Sequence, residues 1–231
     1  MSPILIVTTS HGAIGDTGRK TGLYFEELAT PYWAFLDAGF QVEIASIAGG
    51  APPIDPSSLD AASDSVRRFQ DDPAAMAALN GTRPVAALNP ADYAAVFLPG
   101  GHGTMWDLPG NDALIRLVGA LFNSGRVVAA VCHGPAGLLQ VSQPDGRPLV
   151  AGRRVSAFTD TEEQAVGLVE AMPFLLETML REQGAQFEGG PNFQPYAVRD
   201  GNLVTGQNPQ SSGQVADEVI AALRAMPNPG P

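Results

Sequence analysis

The one cysteine of a 231-residue chain lies in VVAAVCHGPAGLL, where Cys132 is followed directly by His133 and Gly134. An apolar, β-branched run that passes straight into Cys-His-Gly-Pro and then a helical AGLL has the layout of a nucleophile elbow. In that motif a sharp turn lifts a reactive side chain above the edge of a sheet. Ala130 and Gly134 take the two flanking places that are glycine in the GxSxG form, which leaves the backbone room to turn. Amides at the start of the following helix would favour thiolate over thiol. The competing reading makes Cys132 a small buried hydrophobe at a strand end. Its place beyond the carboxyl end of a strand, where open parallel sheets gather ligands, favours the nucleophile.

Two further stretches could serve such a thiolate. In FLPGGHGTMWD, Gly100, Gly101 and Gly103 let the main chain approach a ligand closely and present amide donors to an oxyanion. Glycine after a strand is more often turn chemistry alone, so this signal gains weight only beside the cysteine. Trp106, just past the turn, is a candidate wall for a substrate pocket, whereas Trp33 is expected to pack. In YFEELATP, Glu26 reads as a solvated carboxylate. Glu27 differs because Pro31 offers its carbonyl no N–H, so the helix is expected to kink there and tip the carboxylate inward. Partial burial would raise its pKa and let it exchange protons with Cys132 or a substrate. Of the three histidines, His11 and His102 could share an ion with carboxylates, but no HxH or HxxxH spacing is present. Loop histidines and no metal are the expectation.

The elements that must position these residues alternate along the chain. PILIVTT reads as a strand buried on both faces, LYFEELATPYWAFLDAG as a helix stopped by Gly39, and FQVEIAS as a second strand, making a right-handed βαβ unit. The strand in YAAVFLPGG, the helix NDALIRLVGALFNSG closed by Gly125 and the strand RVVAAV repeat that order. Downstream, RRVSAFT reads as a strand and residues 162–184 as a long apolar helical pattern interrupted at Pro173. YAVRDGNLVTG reads as a hairpin turning at Asp200-Gly201, and SSGQVADEVIAALRAM as a helix from Ser211 or Ser212. Residues 49–90 are turn-rich, with helix fragments broken at Pro73 and Pro84, and could cap the site. A PNPGP tail is the one low-complexity tract. The expected organisation is one α/β domain over residues 1–231 with a sheet that is at least partly parallel.

Composition narrows the partners. A net charge of −11, with only 13 Lys and Arg spread along the chain, disfavours nucleic acid and anionic membrane surfaces. The N-terminal apolar run lacks a basic flank and is too short for a signal peptide or a spanning helix. A lone cysteine excludes an intramolecular disulfide and fits a reducing compartment, so a cytoplasmic location is expected.

Taken together, PGGHGT, AAVCHGPA, TGLYFEELATPYWAF, GAPPIDP, FTDTEE and VTGQNPQSS resemble the ThiJ/PfpI superfamily over nearly the whole chain. The match is closest to its heat-shock-chaperone branch of glutathione-independent glyoxalases, also labelled class I glutamine amidotransferase-like. The resemblance implies a flavodoxin-like sandwich, with a mainly parallel central sheet and helices on both faces, and commonly a homodimer. It implies Cys132 as nucleophile, His133 as its adjacent partner, Glu27 as acidic partner and Gly101 as an oxyanion-hole amide. Gly100, His102 and Trp106 are then expected beside the substrate. Glu163 falls where some members place an acid that orients the histidine, with Asp160 as its competitor.

The implied activity is addition of Cys132 to the aldehyde of methylglyoxal or glyoxal, proton shuttling through an enediol, and release of D-lactate or glycolate without a cofactor. One departure matters. Glutamine amidotransferases use a histidine well downstream of the cysteine, and none follows His133, so glutaminase chemistry is not expected. The alternatives are a holdase with a redox-sensing cysteine, or a deglycase or peptidase using the same nucleophile. The stripe EAMPFLLETML could bind clients, but reads mainly as core or dimer contact.

Overall fold

Short apolar strands and amphipathic helices alternate in the computed structural model, which describes residues 2–59 and 63–226. The PNPGP tail lies outside the described residues. β1 (Ile4–Thr8), α1 (Phe25–Asp37) and β2 (Val42–Ser46) form the first βαβ unit, with β1 and β2 paired in parallel. α2 (Asp64–Asp71) and α3 (Pro73–Asn80) lead to β3 (Arg83–Pro84), β4 (Ala95–Leu98), the short α4 (Thr104–Asp107), α5 (Asp112–Asn123) and β5 (Val127–Val131). β6 (Arg154–Val155), α6 (Asp160–Ala165), α7 (Leu176–Glu182), β7 (Gln186–Phe187), β8 (Ala197–Asp200), β9 (Leu203–Gly206) and α8 (Ser212–Ala225) follow.

The main sheet has the order β3-β2-β1-β4-β5-β9-β8 and is parallel except for the β8–β9 pair, while β6 and β7 pair separately. Because successive strand residues face opposite sides, each side of β1 feeds a different core. Leu5 and Val7 pack with Leu114, Leu117 and Leu121 of α5; Ile4 and Ile6 pack with Leu28 and Phe35 of α1 and Val215 of α8. This is the flavodoxin-like α/β sandwich that the motifs imply.

Several local expectations shift, although Pro73 does divide helix fragments: α2 ends at Asp71 and Pro73 opens α3, where the Asp72 carboxylate accepts from the Ala74 and Ala75 N–H groups. α1 runs unbroken from Phe25 to Asp37 with Pro31 inside it, and Glu27 in its first turn is buried. The β8–β9 hairpin turns at Gly201 and Asn202, one residue later than read, since Asp200 pairs with Leu203. Of RRVSAFT only Arg154–Val155 forms a ladder. The main chain beyond it is diverted: Ser156 N–H donates to Thr205 Oγ1 at 2.8 Å and Phe158 N–H to the Cys132 carbonyl at 2.9 Å. Residues 162–184 divide into α6, a 3₁₀ turn at Val169–Ala171 and α7, separated at Gly167 (φ 71°) and Pro173. Met172, Leu176 and Leu180 of that stretch are core.

The strand order places the crevice. The chain winds outward from β1 through β2 to β3, then returns to β4 and winds the other way through β5, so connections diverge above the carboxyl ends of β1 and β4. The start of α1, the turn after β4 and the turn after β5 all end there.

Candidate active site

Cys132 sits one residue beyond β5 with φ 60°, a left-handed conformation that non-glycine residues adopt rarely and only when their surroundings impose it. Its N–H donates to the Gly206 carbonyl at 3.0 Å and its own carbonyl accepts from Phe158. The next turn requires glycine, because a Cβ on Gly134 would stand 2.0 Å from the Leu98 carbonyl oxygen. Thr104 Oγ1 donates to the carbonyls of Gly101 (2.9 Å) and His133 (3.1 Å), joining the glycine turn to the elbow.

The expected thiolate is corrected by the site's electrostatics. AGLL belongs to a five-residue 3₁₀ turn, Gly134–Leu138, not an α-helix. Burial pushes the Cys132 thiol well up, and the adjacent Glu27 carboxylate pushes it further, while the Gly101 N–H acts against them. At neutral pH the resting group is a thiol.

Glu27 lies in the first turn of α1 and is fully buried. Its Oε2 accepts from the Gly100 N–H at 2.6 Å, and its buried Oε1 has no hydrogen-bond partner of good geometry. Burial raises the carboxyl from 4.5 to about 8, against the Gly100 N–H and the Cys132 thiol, which favour the ionised form. The role expected for Gly100 therefore changes: its amide is spent on Glu27 and it does not line the cavity. Gly101 does line it, and its amide favours the charged form of the sulfur.

On the other side of the sulfur, His133 Nδ1 lies 3.2 Å from Cys132 Sγ. His133 Nε2 is 2.7 Å from Glu163 Oε2, and His102 Nε2 is 2.9 Å from Glu163 Oε1. Burial opposes ionisation of Glu163, but hydrogen bonds from the two imidazoles outweigh it and hold the carboxyl at about 2. Burial, and next His102, lower the His133 pKa. A neutral His133 that donates Nε2–H to this carboxylate must offer its bare Nδ1 to the sulfur, which suits it to accept the thiol proton. Asp160, the competitor for the orienting role, instead accepts from Thr178 Oγ1 at 2.5 Å.

His102, His133 and Glu163 place their ligand atoms within 4.8 Å of one another and could hold a metal ion. That trio differs from the His11–His102 pairing considered from sequence. His11 Nε2 lies 2.7 Å from the Ala13 carbonyl, and its ring stacks on Trp106 at 5.1 Å. Trp106 is thereby committed to packing and does not wall the cavity.

The cavity beside Cys132 has a volume of about 580 Å³. Gly101, His102, Cys132 and His133 form its reactive side, Phe158, Phe193 and Leu168 an apolar side, and Arg19, Lys20, Tyr24, Asp55 and Ser57 a polar rim. Asp55 to Ser57 come from the turn-rich 49–90 segment. Tyr24, which precedes α1, is raised to about 12 by burial and by the charges of Glu27 and Cys132, so it stays protonated and can only donate from its hydroxyl when facing an oxyanion. Sequence reasoning passed over Tyr24, Arg19 and Lys20, although their place just before the Glu27 helix was a usable signal.

Fold and corner together define an α/β protein of the nucleophile-elbow class. Within that class residues 22–222 match the model of the DJ-1/PfpI family, and the chain belongs to that family. It is 33% identical to a glutathione-independent glyoxalase of Schizosaccharomyces pombe across 96% of each chain. Among solved structures, glyoxalase III of Candida albicans is similar with a TM-score of 0.89 at 30% identity, over 96% of this chain and 97% of that one. Rapid Encystment Protein 24 KDa of Francisella tularensis is similar with a TM-score of 0.94 at 35% identity, over 96% of this chain and 99% of that one.

Proposed function

We propose that this protein is a glutathione-independent glyoxalase that converts methylglyoxal or a related 2-oxoaldehyde, with one water, to the 2-hydroxy acid. The observation that carries the reading is a buried thiol flanked by two groups that can exchange protons with it, the buried Glu27 on one side and His133 Nδ1 at 3.2 Å on the other. The relatives named as glyoxalases support it.

In this reading Sγ adds to the aldehyde carbon as its proton passes to Nδ1 of His133 or to ionised Glu27, giving a hemithioacetal. The base hands that proton to the hemithioacetal oxygen and is then free to take the C1–H proton next to the ketone, with the Gly101 amide available to the enediolate oxygen. Returning the proton to C2 leaves a thioester, which water hydrolyses to the hydroxy acid and the free thiol. Each proton removed is returned, and no electrons leave the substrate, so the chemistry calls for no redox partner.

A homodimer in a reducing, cytoplasmic setting completes the proposal, and a single band shift in analytical ultracentrifugation from monomer to dimer mass tests the assembly. No helix among the described residues is long and apolar enough to cross a membrane. The holdase alternative has less behind it: the exposed large apolar residues among those described are Leu59, Val166 and Phe193, and two of these border the cavity. Incubation with methylglyoxal in the absence of glutathione is expected to yield D-lactate; suppression of client aggregation that is unchanged in Cys132→Ala, with no D-lactate from wild type, would favour the holdase.

A further inference from the structure

The cavity is larger than a three-carbon aldehyde needs, and its rim carries two cations that meet no carboxylate among the described residues. Arg19 and Lys20, the only lysine of a chain with net charge −11, both line it. Both are exposed, and among the described residues neither meets a carboxylate, although Arg68, Arg83, Arg154 and Arg181 each do. The one carboxylate on the rim, Asp55, has its oxygens occupied by Thr21 Oγ1 (2.8 Å), Ser57 N–H (2.9 Å) and Ser57 Oγ (2.7 Å).

The main chain that carries these cations is also held in place. An antiparallel bridge joins Ala13 to Lys20, Ile14 N–H donates to the Arg19 carbonyl at 3.0 Å, and Thr21 N–H donates to the Gly12 carbonyl at 3.0 Å. The hairpin is pinned to the opposite rim through the Thr21–Asp55 hydrogen bond. Two cations carried on a braced main chain beside a reactive thiol can recognise an anion on the substrate.

We infer that the cavity selects 2-oxoaldehydes bearing a carboxylate or phosphate on the chain beyond the ketone, with Arg19 and Lys20 as the groups that bind that anion. The inference rests on the 2-oxoaldehyde reading of Cys132. The reaction is the one already written: the aldehyde of 4,5-dioxopentanoate plus water becomes the second carboxylate of 2-hydroxyglutarate, with C4 reduced to the alcohol as C5 is oxidised.

The test compares kcat/KM for 4,5-dioxopentanoate, the phosphate ester of hydroxypyruvaldehyde, neutral 2-oxopentanal and methylglyoxal. Wild type is expected to prefer at least one anionic substrate over 2-oxopentanal by about tenfold, through KM, as two exposed charge contacts together can supply. Arg19→Gln/Lys20→Gln should abolish that preference while leaving methylglyoxal turnover within about twofold, and added salt should weaken it in wild type. Whichever anion shows the preference identifies the class. Equal kcat/KM for charged and neutral substrates, or a preference that survives the double substitution, would overturn the inference. If no 2-oxoaldehyde is turned over, the glyoxalase reading fails separately. Calorimetric binding of glutarate to Cys132→Ala then still decides: loss of binding in Arg19→Gln/Lys20→Gln supports the anion site, and unchanged or undetectable binding removes it.

Discussion

At the scale of single residues, the pairing of Cys132 with Glu27 makes proton position the controlling variable. Glu27, buried and lifted to about 8, is largely protonated at neutral pH, and the thiol beside it is raised as well. The two titrate as a pair. Alkylation of Cys132 by iodoacetamide is therefore expected to accelerate as pH rises through about 8, and Glu27→Gln should remove that inflection; a flat profile in wild type would contradict the pairing. Stability carries the same signature with a definite sign. A carboxyl raised in the folded state binds its proton more tightly there than in the unfolded chain, so its contribution is full below about 4.5 and is lost as pH climbs through about 8. Thermal midpoints of wild type should fall across that window, and those of Glu27→Gln should fall less. Cys132, His133 and Glu27 stand out in the sequence from their motifs, and Glu163 beside Asp160 from the family resemblance; the structure brings Glu163 to His133 while Asp160 bonds Thr178. The sequence did not expose the job of Gly100 or the commitment of Trp106 to His11, because both are set by neighbours distant in the chain.

At the scale of elements, a left-handed corner holds the sulfur, and its neighbours determine whether it forms. Gly134 has no space for a methyl group against the Leu98 carbonyl. Gly134→Ala is expected to destabilise the protein by about 3 kcal/mol, at the severe end for one added carbon, measured by denaturant unfolding. Pro31→Ala supplies the opposite case. α1 is continuous through Pro31, and Glu27 is oriented by the Gly100 amide. Removing the proline should leave kcat/KM within about twofold; a large loss would make the proline a positioning device. The strand read in RRVSAFT shortens to Arg154–Val155 because Phe158 spends its N–H on the Cys132 carbonyl. Strand propensity cannot reveal that diversion, which is made by a contact with the elbow.

At the scale of the whole molecule, the sheet order turns separate motifs into one site. Glu163 lies 30 residues from His133 and 61 from His102, yet bonds both. The parallel core was legible because β1, β4 and β5 are uninterrupted apolar runs, whose burial on both faces leaves a period-independent signature. The convergence of Arg19, Lys20 and Asp55 around the cavity was not, since short turn-rich segments carry no such pattern. We propose that residues 1–231 unfold as one unit, so calorimetry should show a single transition; two resolved transitions would divide the chain.

The most direct test is the rate of D-lactate formation from methylglyoxal, without glutathione, by wild type, Cys132→Ala and Glu27→Gln. The mechanism requires the nucleophile absolutely, so Cys132→Ala should lose activity by about 10⁴-fold or more. Loss of one proton acceptor in Glu27→Gln should cost about 10²- to 10⁴-fold. Equal turnover by all three proteins would contradict the account.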